Sequence, residues 1–171
     1  MNTKNKEGFT IIEVVLVLAI AGLIFMMVFI ALPALQRSQR DTQRKNDLSR
    51  AMTAVNNYQG ANRGVLPSQS GGLSWGDFEI QYLETNGDSF QDPSGSSNTH
   101  PSDYYEFADG RGFDAGQIGN FTKGDGDNQN VIYYDMDAVC GTGGAISAGA
   151  GSRKVALRIV LEGGGIYCVN N

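Results

Sequence analysis

From Val14 to Leu32 the chain runs for 19 residues without a charged or strongly polar side chain. A helix of about 20 such residues spans a bilayer, and a water-soluble domain has little room to hide one. A wholly cytosolic globular protein is thereby excluded. A secretory signal peptide is the competing reading, and two features oppose it. The run exceeds the usual apolar core of about 7–15 residues. No clean small-x-small cleavage site follows, Ala31-Leu32-Pro33-Ala34 being the nearest. Beyond the span about 110 to 140 residues remain, enough for one modest core. At 41% apolar and 18% charged, the chain is too apolar for disorder.

The net charge of −5 is segregated. Residues 36–63 hold six basic residues (Arg37, Arg40, Arg44, Lys45, Arg50, Arg63) against Asp41 and Asp47, or +4. Residues 64–171 hold 5 basic and 14 acidic residues, or −9. So acidic a region is a poor nucleic-acid surface. The basic stretch is read as flanking a membrane segment or pairing with acidic neighbours.

One residue departs from a plain anchor. Glu13 lies inside the apolar segment, five residues after Gly8. A carboxylate near a membrane interior costs several kcal/mol unless it finds a partner. Two readings stand: an interfacial Glu reaching headgroups, or a Glu awaiting a cation from another chain. Its surroundings are Lys6-Glu7-Gly8-Phe9-Thr10-Ile11-Ile12-Glu13, then Val14-Val15-Leu16-Val17-Leu18-Ala19-Ile20-Ala21-Gly22.

This segment resembles the N-terminus of type IV pilins and of the pseudopilins of type II secretion. In that family a short basic leader ends in Gly, Phe usually follows, a Glu stands four residues later, and an uncharged helix continues. Gly8, Phe9 and Glu13 match, and Gly22 falls where a Gly is common. The resemblance covers roughly residues 4–60. Pro33 stands later than the family's usual Pro, and a proline inside a helix removes a hydrogen bond and kinks it.

The resemblance implies a non-enzymatic filament subunit without a cofactor. Residues 1–8 are the leader, 9–60 a stalk helix with a transmembrane segment at about 14–35, and 61–171 a head. The precursor is single-pass in the inner membrane with its head outside. A prepilin peptidase cuts between Gly8 and Phe9 and methylates Phe9. Glu13 then neutralises the cationic amine of a neighbouring copy as the stalks bundle into a surface pilus. An inner-membrane assembly platform and its ATPase drive this; the chain has no nucleotide motif of its own. Direct nucleic-acid binding is not expected. The alternatives are a type II secretion pseudopilin and an uncleaved anchor displaying a binding head. Twitching, adhesion and DNA uptake all stay open. A naive positive-inside count opposes an external head, but long domains translocate largely regardless of flank charge.

The fold class expected is α+β, with a long N-terminal helix on a small head of one short helix and an antiparallel sheet. Leu48, Ala51, Met52, Val55 and Tyr58 form one apolar face at helical period. Gly60 and Gly64 are the stop signals. A helix over residues 9–59 would be about 75 Å long. Its first half is apolar all round and its second half amphipathic. Ser74 to Asn86 reads as a short helix capped by Gly87, and Asp92-Pro93-Ser94-Gly95 as a turn. Tyr104–Ala108, Val131–Met136 and Val155–Leu161 read as strands, and Gly163-Gly164-Gly165 turns the last into Ile166–Val169. The Gly-rich stretches 110–126 and 141–151 read as surface loops.

Two cysteines behind a membrane-targeting segment favour one disulfide, Cys140 with Cys168, the alternative being two unlinked small core residues. Closing a ring of about 29 residues is worth roughly 3–4 kcal/mol in the chain-entropy model. Zinc is not expected, since His100 is the only histidine. Asp125 and Asp127, in Asp125-Gly126-Asp127-Asn128-Gln129-Asn130, resemble the start of a calcium loop. The turn glycine is missing and Met136 stands where a bidentate Glu belongs, so an acidic turn is the preferred reading. His100 has no nucleophile motif to serve. Trp75, Tyr104, Tyr105, Tyr133 and Tyr134 read first as core and strand-pairing residues, and second as an adhesive surface.

Overall fold

A computed structural model describes residues 8–84, 90–93, 105–110 and 130–171. The chain divides into two compact units, residues 1–37 and 38–171. Helix α1, Ile11–Ala61, crosses the division without a break and contains Pro33. In the first unit the apolar window has a mean hydropathy of 3.1, and none of it is buried within the protein.

The second unit is built on the amphipathic part of α1. Leu48, Ala51, Met52, Val55 and Tyr58 are all buried. The helix passes through Gly60 and ends at Ala61. Gly64 then takes a positive φ of 84° while its N–H returns to the Gln59 carbonyl. Arg63, at a φ of 56°, already takes the left-handed C′ place, so Arg63 and Gly64 share the reversal, and of the two glycines expected to stop the helix only Gly64 takes part.

The short helix is not one regular element. α2 covers Trp75–Glu79, with the Ser74 hydroxyl capping the Asp77 N–H. A π-helical turn, Ile80–Glu84, follows directly. Gly87 and Asn86 lie outside the described residues. The sequence shows only an apolar four-residue spacing, which an α and a π register share at Phe78 and Tyr82.

The main sheet has strand order β1-β2-β5-β6. β1 is Glu106–Asp109, β2 Val131–Met136, β5 Val155–Val160 and β6 Ile166–Asn170. β2–β5 and β5–β6 are antiparallel, whereas β1 runs parallel to β2. The all-antiparallel expectation is therefore corrected at β1, which joins the edge of the sheet rather than forming a hairpin. A second correction concerns the Gly-rich stretch 141–151. β3 (Ala138–Cys140) and β4 (Ile146–Ala148) form a two-stranded antiparallel sheet there, around a 3₁₀ turn at Thr142–Gly144. Cys140 thus lies on β3, separated from β2 by Asp137 at a φ of 58°.

Alternation sorts the sheet's two faces. Ile132, Val155, Leu157 and Ile159 join the α1 stripe, Phe78, Phe90 and Tyr105 in one apolar core. Trp75 stacks on Tyr134 at 4.5 Å and on Phe107 at 5.2 Å. Trp75 and Tyr105 are buried and Tyr134 packs against the core, as the core reading expects, while Tyr133 is half-buried and Tyr104 lies outside the described residues. On the opposite face Cys168 of β6 is bonded to Cys140, with Cα atoms 5.9 Å apart. Replacing both cysteines by serine should lower the unfolding free energy by about 3 kcal/mol. Urea denaturation of the full chain in detergent checks this, and an unchanged midpoint would contradict it.

Candidate functional site

The N-terminal residues are placed from Gly8 onward. Phe9 is 90% exposed, and α1 begins two residues later. Thr10 and Glu13 satisfy each other at this start. The Thr10 hydroxyl and N–H donate to Glu13 Oε2 at 2.8 and 2.9 Å. In return the Thr10 carbonyl accepts the Glu13 N–H at 3.2 Å. This is one arm of a capping box: the Glu13 carboxylate takes the Thr10 N–H, a donor that a helix start otherwise leaves open, and the Thr10 hydroxyl donates to the same oxygen. Glu13 is thus not an isolated charge in the single chain. Both donors fall on Oε2, and neither falls on Oε1. The Thr-x-x-Glu spacing is legible in the sequence, and this role of Thr10 went unread there.

A second polar group lies in the other unit, and sequence reasoning missed most of it. Arg44 is fully buried on α1. Its Nε and Nη2 donate to the two oxygens of Asp92 at 2.7 and 2.9 Å. Its Nη1 faces Asp41 at 3.3 Å and Glu162 at 3.7 Å. Burial works against the charge of Arg44, but Asp92 outweighs it through a hydrogen bond and its own charge, so the guanidinium pKa is raised. One turn earlier, Arg40 grips Glu162 bidentately at 2.7 and 2.6 Å. Asp41 accepts the backbone N–H groups of Glu162 and Gly163 at 2.7 and 2.8 Å. The turn between β5 and β6 is thereby held to α1 through three side chains.

The stripe goes on to Asp47, which is buried and accepts the Tyr105 hydroxyl at 3.2 Å. Burial pushes the Asp47 carboxyl pKa up, with Tyr105 and Arg50 opposing. The basic stretch beyond the span therefore meets acidic partners, and for Arg40 and Arg44 those partners belong to the same head. On the sheet's other face, Arg158 donates its Nε to Asp135 at 2.8 Å and its Nη2 to the Gly110 carbonyl at 3.2 Å. A Cβ on Gly110 would lie 2.6 Å from the Asp135 oxygens, so this close approach requires glycine.

These charged groups pair with one another or with backbone groups inside the head. Among the described residues no group of three metal-ligating side chains occurs. Asp125, Asp127 and His100 lie outside the described residues.

Comparison with known proteins gives one match, confined to the N-terminus. The family described as the prokaryotic N-terminal methylation motif matches residues 3–29. No curated protein and no solved structure matches the chain. The chain carries the leader signature of the type IV pilins and pseudopilins, followed by an apolar helix fit to anchor a membrane precursor.

Removing Asp92 strands the Arg44 guanidinium, and breaking a buried pair in this way costs about 3–5 kcal/mol. Asp92→Leu should therefore destabilise the head by that amount, and adding Arg44→Met should recover much of it. Denaturation of the wild type, the two single variants and the double variant as a double-mutant cycle checks the coupling. Purely additive losses would contradict it.

Proposed function

We propose that this chain is a structural, non-enzymatic subunit of a type IV pilus-like filament. The observation that carries the proposal is the methylation-motif match over residues 3–29, together with Glu13 at the start of an unburied apolar helix. The peptidase cuts between Gly8 and Phe9 and methylates the new amine of Phe9. The exposure of Phe9 and its position ahead of the helix support access for that enzyme.

Before assembly the unburied apolar side chains of α1 rest in lipid. In the filament they rest against the helices of other copies, and Glu13 offers its second oxygen to a neighbouring Phe9 amine. An ion pair in a low-dielectric bundle is favourable when each charge would otherwise stay unpaired. Thr10 then acts as a positioning residue, since its two hydrogen bonds fix where the carboxylate points. The chain depends on the inner-membrane assembly platform and its ATPase for extraction, and the assembled pilus lies at the cell surface.

Glu13→Ala is expected to leave the protein membrane-bound and processed while reducing subunits in the sheared surface fraction at least tenfold. Thr10→Val should give a smaller reduction. Immunoblots of membrane and sheared fractions provide the measurement. Normal filaments from Glu13→Ala would end the charge-pairing account. A processed subunit confined to the envelope would favour the pseudopilin role.

A further inference from the structure

Glu79 closes α2 and is only 9% exposed, yet its Oε1 accepts no hydrogen bond. One helical turn earlier, the indole N–H of Trp75 is equally buried and has no acceptor. A buried carboxyl oxygen and a buried donor, both unmatched, thus share one short helix. Such groups are rare in folded proteins and usually mark a functional or conformational constraint.

The charged groups that act on Glu79 have its own sign. Glu84 comes from the π-helical turn and Glu106 from β1. The other acid of α2, Asp77, is exposed and engaged with the Ser74 cap. No described residue donates a hydrogen bond or an ion pair to the buried oxygen. The π-helical turn that follows is an irregular register, of a kind often found where a helix must yield.

We propose that Glu79 is a proton-dependent latch, whose uptake of a proton is coupled to closure of α2 and the π-turn onto β1. A neutral carboxyl stays buried near Glu84 and Glu106 without charge repulsion, and a carboxylate is repelled by both. Burial, and then these two acids, raise the Glu79 pKa to about 8, consistent with the geometry. When this corner opens, the carboxyl returns to water and its ordinary carboxylate range. The closed state therefore binds the extra proton, and raising the pH favours opening between the two values.

The π-turn also forms one wall of an open groove of about 480 Å³, through Tyr82 and Leu83. Asn46, Arg50, Thr53 and Asn57 of α1 form the other wall. Release of the latch reshapes that groove, so raising the pH toward about 8 alters this surface of the head before the sheet unfolds.

The test is hydrogen exchange across pH 5.5 to 9 on the full-length protein in detergent, corrected for intrinsic exchange. Protection of residues 75–84 should fall about tenfold per pH unit up to about pH 8 and then level. Glu79→Gln should abolish this dependence while β5 stays protected in both proteins. Should Glu79→Gln fail to fold, Glu106→Gln serves instead, and its levelling point should move to lower pH. The same slope in wild type and Glu79→Gln, or an unmoved levelling point in Glu106→Gln, would overturn the latch. Saturable recovery of protection by calcium chloride alone would also overturn it, by assigning the three acids to a cation.

Discussion

A guanidinium with no exposure to solvent must be met on every side, and Arg44 sets that demand at the point where α1 enters the head. Asp92 meets it from the segment after the π-turn, and Asp41 meets it from the same helix. Asp41 and Arg40 in turn hold the turn between β5 and β6. One buried charge therefore ties together three parts of the head that lie far apart in sequence. The burial of charge does not by itself favour folding. It restricts the arrangements open to the chain, because any other register of α1 against the hairpin leaves a charge unpaired.

The same helix faces two kinds of surroundings. Its first part offers apolar side chains in every direction, and its own chain covers none of the apolar window. Its second part confines apolar residues to one face and fills the head's core with them. The first part has to take its covering from lipid or from other helices. The N-terminal methylation motif, matched over residues 3–29, covers the first part of this helix. The hydrogen bonds between Thr10 and Glu13 fit such surroundings, since they give the helix start a partner without needing water.

The long helix was legible because its apolar residues keep one period, β5 and β6 because their apolar runs meet at Gly163-Gly164-Gly165, and β2 because it is a short β-branched and aromatic run. Arg44 was not read as core, since charge in a sequence ordinarily marks a solvated face. Yet Asp41, Arg44, Leu48, Ala51, Val55 and Tyr58 follow a single spacing of three and four. The polar pair extends the apolar stripe by two positions, and that continuity was the available signal. The π-turn had no such signal, because apolar spacing hardly separates π from α. The parallel placement of β1 depends on contacts across the chain that no local pattern encodes. The leader motif was legible in full, since its meaning rests on residue identities at fixed spacing.

Processing at one peptide bond underlies the whole functional reading, because the Phe9 amine that Glu13 would meet exists only after cleavage. Mass spectrometry of the N-terminal peptide, from native membranes and from sheared surface material, tests this most directly. A peptide beginning at methylated Phe9 and present in the sheared fraction is the predicted result. An intact Met1-to-Gly8 leader in cells with an active peptidase would contradict it.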